Sequence, residues 1–169
     1  MTVPILGIVG GIGSGKSLVA GELARHGGRL ISGDALGHEA LRQPDVKDKV
    51  VQRWGRELLD GQGEIQRRRL GQKVFAERAE LRALEALVFP WIGRRLEVEI
   101  AKARREPALR LIVVDAAVMM EAGWDKNCDR VIFVDAPRAV RLERLRDKRG
   151  WSTREILDRE FQCEVGWSS

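Results

Sequence analysis

Apolar runs are short in this chain. None reaches the roughly 18 residues that a membrane-spanning helix needs, although 44% of the 169 residues are hydrophobic. A secretory leader is not expected either, because Met1-Thr2-Val3-Pro4 leads straight into a strand-like run. Cysteine is scarce. Cys128 and Cys163 lie far apart and outside any C-x-x-C or metal-ligand spacing, so they read as ordinary thiols of a reducing cytosol. His26 and His38 form no helical metal pair and read as surface residues. Internal repeats, linkers and low-complexity stretches are also missing. What remains is a soluble globular composition, long enough for a core, in one domain or a domain with a small inserted lobe. Nothing in it speaks to oligomeric state.

The formal charge of +5 raises nucleic acid as a partner. The basic residues are dispersed among acids, however, and a polyphosphate substrate accounts for the excess equally well, so no nucleic-acid partner is expected. The five tryptophans are scattered in the same way, which favours packing over a base-stacking platform.

The most informative stretch is Gly10-Gly11-Ile12-Gly13-Ser14-Gly15-Lys16-Ser17, which fits G-x-x-x-x-G-K-[ST]. Small residues let such a backbone curl until its amides point at phosphate oxygens. Gly11 through Ser17 are therefore the expected ATP-binding residues, with Lys16 on the β- and γ-phosphates and Ser17 on Mg²⁺. The flanks suit this role. Val3 to Val9 reads as a buried parallel strand, and Leu18 to Ala24 has helical spacing.

Two acids follow strand-like runs. Arg29-Leu30-Ile31-Ser32 leads to Gly33-Asp34, and Leu109 to Val114 leads to Asp115. In an open α/β sheet, the carboxyl ends of the strands face the ligand crevice. Asp34 is thus a candidate for chemistry, with a helix N-cap as the alternative. Asp115 resembles the acid of a Walker B segment, able to orient the magnesium shell or a water, with a cap or turn again as the alternative. Arg130 to Asp135 reads as a fourth strand. Pro44 to Trp54 reads as an amphipathic helix. Glu77 to Glu106 is the most helical part of the chain, kinked or divided by Pro90. Met119 and Met120 read as core. The alternation implies an α/β fold, a parallel sheet wrapped by helices.

Arginines fall in two groups. Arg67-Arg68-Arg69 cannot share one helical face, and they serve either as solvated charge or as a grip on the second substrate's phosphates. Arg138, Arg141, Arg144, Arg146 and Arg149 precede a break at Gly150-Trp151-Ser152. Two helices about such a break look like a lid over residues 138–160. Arg144 and Arg149 at the break are its candidates for neutralising charge during phosphoryl transfer, with a solvated basic helix as the alternative for the set.

Taken together, these residues resemble the dephospho-coenzyme A kinase family. The resemblance runs through the phosphate loop, Ile31 to Asp34, Gly63 to Arg68 with Leu70 and Val74-Phe75, Leu84-Glu85, Pro90, Val114 to Glu121, Val134 to Pro137, and Arg141 to Arg144 with Arg149-Gly150 and Ser152. It implies a nucleoside-monophosphate-kinase-like P-loop NTPase fold with a helical CoA-substrate lobe inserted at about residues 36–107. It also implies transfer of the ATP γ-phosphate to the 3′-hydroxyl of dephospho-CoA in the cytoplasm, with Mg²⁺. Asp34 matches the second Asp of the family's Asp-Ala-Asp motif, the general base. Arg67, Arg68 and Asp115 join it as expected substrate contacts. The first Asp of that motif is Ser32 here, the following Arg is His38, the His-Pro pair is Phe89-Pro90, a usual Gln is Arg141, and Pro-Leu-Leu-Phe-Glu is Ala117 to Glu121. The family also continues past Gln162 into an adenine-holding segment with an Ala-Asp pair and an Asn, where this sequence runs from Cys163 to Ser169. Two other readings therefore stay open: another small-molecule P-loop kinase, and a nucleotide-binding protein without turnover.

Overall fold

The computed structural model describes residues 2–157. Four parallel strands form one sheet: β1 (Ile5–Val9), β2 (Gly28–Ser32), β3 (Leu111–Asp115) and β4 (Arg130–Phe133), in the spatial order β2-β3-β1-β4. The interior strands are the apolar ones. Ile5, Ile8 and Val9 of β1 and Ile112, Val113 and Val114 of β3 are buried, as expected of strands covered on both faces. The edge strands are more mixed, with only Ile31 of β2 buried and every residue of β4 exposed.

Six α-helices accompany the sheet among the described residues: α1 (Lys16–Arg25), α2 (Gly33–Arg42), α3 (Pro44–Trp54), α4 (Arg67–Val74), α5 (Arg78–Ala103) and α6 (Arg138–Arg149). Residues 153–157 are helical as well. Ala20 of α1 buries itself against Ile8 and Val113, and Leu6, Leu23, Leu111 and Val134 pack around that cluster. Gly7, between Leu6 and Ile8, turns to the opposite face of β1, where a Cβ would lie 2.6 Å from the sulfur of Met119. Met119 is fully buried as expected. Its neighbour Met120 is 42% exposed, so only one of the pair is core.

The chain divides into two compact units. One carries the sheet, running to Gly33 and resuming at Leu96; the other is Asp34–Arg95. In the second unit, α3 buries Val46, Val50 and Trp54, and α4 buries Leu70 and Val74. A tight turn lies between these helices. The Asp60 carboxylate accepts hydrogen bonds from the amides of Gln62 and Glu64, and an isolated antiparallel bridge joins Leu59 to Ile65. Trp54 donates its indole N–H to Glu80, which also pairs with Arg53, so this tryptophan packs and bonds in place.

Pro90 does not divide the long helix. α5 runs unbroken through it for 26 residues. A proline removes one backbone bond and crowds the preceding turn. Here Val88, Ile92, Leu96 and Ile100 bury a continuous stripe on both sides of it, which offsets that loss.

Candidate functional site

The parallel strands all end at one side of the sheet, where β1 passes into the glycine-rich loop. The chain leaves β1 for β2 on one side and leaves the adjacent β3 for β4 on the other, and such a divergence of neighbouring strands is where open α/β sheets bind ligands. The loop needs its glycines. Gly10 has φ +152°, and a Cβ on it would collide with the carbonyl oxygen of Val134. Gly15, at φ +103°, caps α1 in the left-handed region, so the helix begins at Lys16 with its free amides turned to the loop.

Polar groups converge on this loop. Lys16 Nζ donates to the carbonyls of Gly10 and Gly11 at 2.8 and 3.0 Å, arching over its own backbone. Ser14 is 4% exposed, and its hydroxyl has no hydrogen-bond partner among the described residues. A buried hydroxyl without a partner is costly, and a ligand with acceptor oxygens removes that cost. Ser17 Oγ donates to Asp115 Oδ2 at 2.8 Å, which brings together two residues 98 positions apart. A hydroxyl beside a carboxylate is a pair of hard oxygen donors and fits Mg²⁺.

α6 packs against the same loop. Arg144 Nη1 donates to the carbonyls of Gly13 and Ser14, both at 3.1 Å. Arg141 donates through Nε to Ala136 O at 3.2 Å and through Nη1 to Ile12 O at 3.4 Å. The absence of a side chain at Gly11 and Gly13 admits this approach: a Cβ on Gly11 would be 3.1 Å from Arg141 Nη1, and one on Gly13 would be 3.1 Å from Leu145 Cγ. Arg149 ends α6, where Gly150 takes the left-handed cap. Residues 158–160 of the expected lid lie outside the described residues, as does Cys163.

The second unit holds Asp34 and the adjacent arginines. Asp34 is the second residue of α2, inside its first turn, and its side chain is 82% exposed. Its carboxylate faces His38, one helical turn on, with Oδ2 at 3.3 Å from Nε2. Arg67 Nη1 bonds to the other ring nitrogen, His38 Nδ1, at 3.1 Å. His38 is half-buried, its side chain 33% exposed but its Nε2 buried. Burial holds its pKa below the ordinary 6.5, and the charges of Arg67 and Arg42 push the same way against Asp34. Arg69 donates to the Glu57 carbonyl, whereas Arg68 has no hydrogen bond or ion pair among the described residues. The three arginines do diverge, as the helical geometry requires.

The family model for dephospho-CoA kinase matches residues 4–163. The chain belongs to the dephospho-CoA kinase family. The dephospho-CoA kinase of Thermobifida fusca is 34% identical over 155 residues, spanning 91% of this chain and 76% of that protein. The one from Thermus thermophilus is 35% identical over 156 residues, or 92% and 73% of the two chains. A crystal structure from Thermus thermophilus matches with a TM-score of 0.73 at 32% identity, covering 100% of this chain and 86% of the other. The Campylobacter jejuni dephospho-CoA kinase, at 21% identity and a TM-score of 0.64, shares the fold.

As a dephospho-CoA kinase family member, the protein is an ATP-dependent phosphotransferase with a P-loop fold. No helix among the described residues is long and apolar enough to cross a membrane. Two functional candidates escaped the sequence reading. Arg141 could have been found by its spacing of three from Arg144 on one helix face, and His38 by its spacing of four from Asp34. Cys128 stays an ordinary thiol: burial, with Asp125 and Asp129 nearby, pushes its pKa up to about 11, which leaves it protonated and unreactive.

Proposed function

We propose that this protein transfers the γ-phosphate of Mg-ATP to the 3′-hydroxyl of dephospho-CoA, in the cytoplasm, as the last step of coenzyme A formation. The observation that carries the metal-nucleotide half is the 2.8 Å bond from Ser17 Oγ to Asp115 Oδ2 at the mouth of the phosphate loop. This pair of oxygens would hold Mg²⁺, whose charge would offset that of the phosphates. Ser17 would hold it directly, with Asp115 holding its shell of water or helping to orient the substrate.

The chain's other groups have separate tasks. Amides of Gly11, Ile12, Gly13, Ser14, Gly15 and Lys16 cradle the phosphates, and Lys16 turns from its own carbonyls onto the transferred group. Arg144 fixes the loop through Gly13 and Ser14 and adds positive charge beside it. Arg149 would add more when the segment at 138–160 closes as a lid. Asp34 accepts the proton of the attacking hydroxyl, and Arg67 and Arg68 hold phosphates of the coenzyme in a lobe spanning about residues 36–107. The guanidinium of Arg68, in the first turn of α4 and without a partner among the described residues, supports that assignment, because cations are unfavourable at a helix N-terminus unless an anion joins them.

Calorimetry of ATP binding with and without Mg²⁺ tests the metal assignment. Asp115→Asn is expected to weaken Mg-ATP about tenfold while leaving metal-free ATP within about twofold. An unchanged magnesium dependence would remove Asp115 from the site.

A further inference from the structure

Arg67, His38 and Asp34 form a line of contacts within the Asp34–Arg95 unit: guanidinium to Nδ1 at 3.1 Å, then Nε2 to carboxylate at 3.3 Å. The chemistry of the first contact constrains the second. A guanidinium carries five donors and no acceptor, so His38 Nδ1 must accept, and the neutral ring keeps its one proton on Nε2. That nitrogen is buried and makes no aligned hydrogen bond, and Asp34 Oδ2 faces it. Contact at 3.3 Å without alignment is ordinary for a catalytic group before substrate arrives, and a small rotation of the exposed Asp34 side chain completes the bond.

We propose that His38 is a positioning residue for Asp34: fixed by Arg67 as the Nε2–H tautomer, it aims its proton at the carboxylate and sets that carboxylate's orientation toward the attacking hydroxyl. The inference rests on the assignment of Asp34 as the base. Asp34 alone has little to hold it, its side chain being 82% exposed, whereas His38 is anchored on its far side. Without such an anchor the base samples several rotamers, and only a fraction of encounters is productive. Arg67 retains further donors for a phosphate, so its grip on His38 is compatible with substrate binding.

The test uses the full chain and steady-state kinetics with Mg-ATP and dephospho-CoA. His38→Leu is expected to lower kcat about tenfold with the KM for Mg-ATP within about twofold, because orientation of the base is lost and nucleotide binding is not. His38→Gln, whose amide N–H reaches about as far as Nε2–H, recovers most of that loss. In an Asp34→Asn background, His38→Leu costs nothing further. An undiminished loss in that background, Gln no better than Leu, or a harmless His38→Leu beside a crippled Asp34→Asn would each overturn the positioning role and leave the base in place. An unchanged kcat in Asp34→Asn alone would overturn the base assignment and the inference with it. Nitrogen-15 NMR of the unaltered chain reads the tautomer independently of how any variant folds. The Nε2–H form is expected for His38, and a predominant Nδ1–H form would overturn the inference.

Discussion

The phosphate loop and the Asp34–His38–Arg67 cluster both use cations to hold something in place, but what they hold differs. At the loop, Lys16, Arg141 and Arg144 all donate to main-chain carbonyls of residues 10–14 and 136. In the second unit, Arg67 holds a side chain, and Arg68 holds nothing among the described residues. A site built from main chain is rigid once the backbone has folded, and its cations brace a cradle. A site built from side chains depends on each rotamer being fixed by the next. The loop should therefore fail when its geometry or charge is removed outright, and the cluster should fail by degrees.

The largest expected effect is on the loop's mobile charge. Lys16→Ala should lower kcat/KM by about 10²–10³-fold, the usual cost of losing a positioned group that stabilises developing charge. Rates close to those of the unaltered chain would break the phosphate-loop reading. Comparable in size but different in kind is Asp34→Asn. It should lower kcat about 10²–10⁴-fold while ATP affinity measured by calorimetry stays within about twofold. Equal losses in both would make Asp34 a structural residue of α2.

A smaller effect is expected at the brace. Arg144→Ala should raise the KM for Mg-ATP roughly three- to tenfold, since two charge-assisted bonds to Gly13 and Ser14 are lost while the amides remain. A fall in kcat with KM unchanged would instead place Arg144 on the transition state. The smallest effect is a pH dependence of stability. The folded His38 pKa lies below its ordinary 6.5, through burial first and through Arg67 and Arg42, with Asp34 opposing. The unfolded chain thus binds more protons at this site than the folded one. The stability that His38 contributes is complete above the ordinary value and is lost as pH falls through the folded one. His38→Gln should reduce the loss of Tm between about pH 7 and pH 5 by on the order of one degree. An identical loss in both proteins would remove the histidine as its source.

Legibility in the sequence followed the same division. Gly15 caps α1 in the left-handed region, a role set by the local turn, so spacing alone located the loop, and Ser17 and Asp115 met as a Walker pair would. β1 and β3 were readable because burial on both faces leaves an unbroken apolar run. Of the two outcomes expected at Pro90, division of the helix does not occur, because a local rule about proline yields to a buried stripe that extends to both sides of it. The partners of His38 were hidden for a related reason. Its environment is set by Arg67, 29 residues away, and no periodicity reveals which residue of α4 meets which residue of α2. Arg144 was legible as a cation near phosphate, but its bonds to the loop's carbonyls needed the docked position of α6.

The central claim is that this chain phosphorylates dephospho-CoA, and the most direct measurement is ADP release from Mg-ATP by the purified chain with and without that acceptor. The account predicts acceptor-dependent ADP release with CoA as the product. Retained ATP binding with no transfer, or faster transfer to a nucleoside or nucleotide acceptor than to dephospho-CoA, would contradict it.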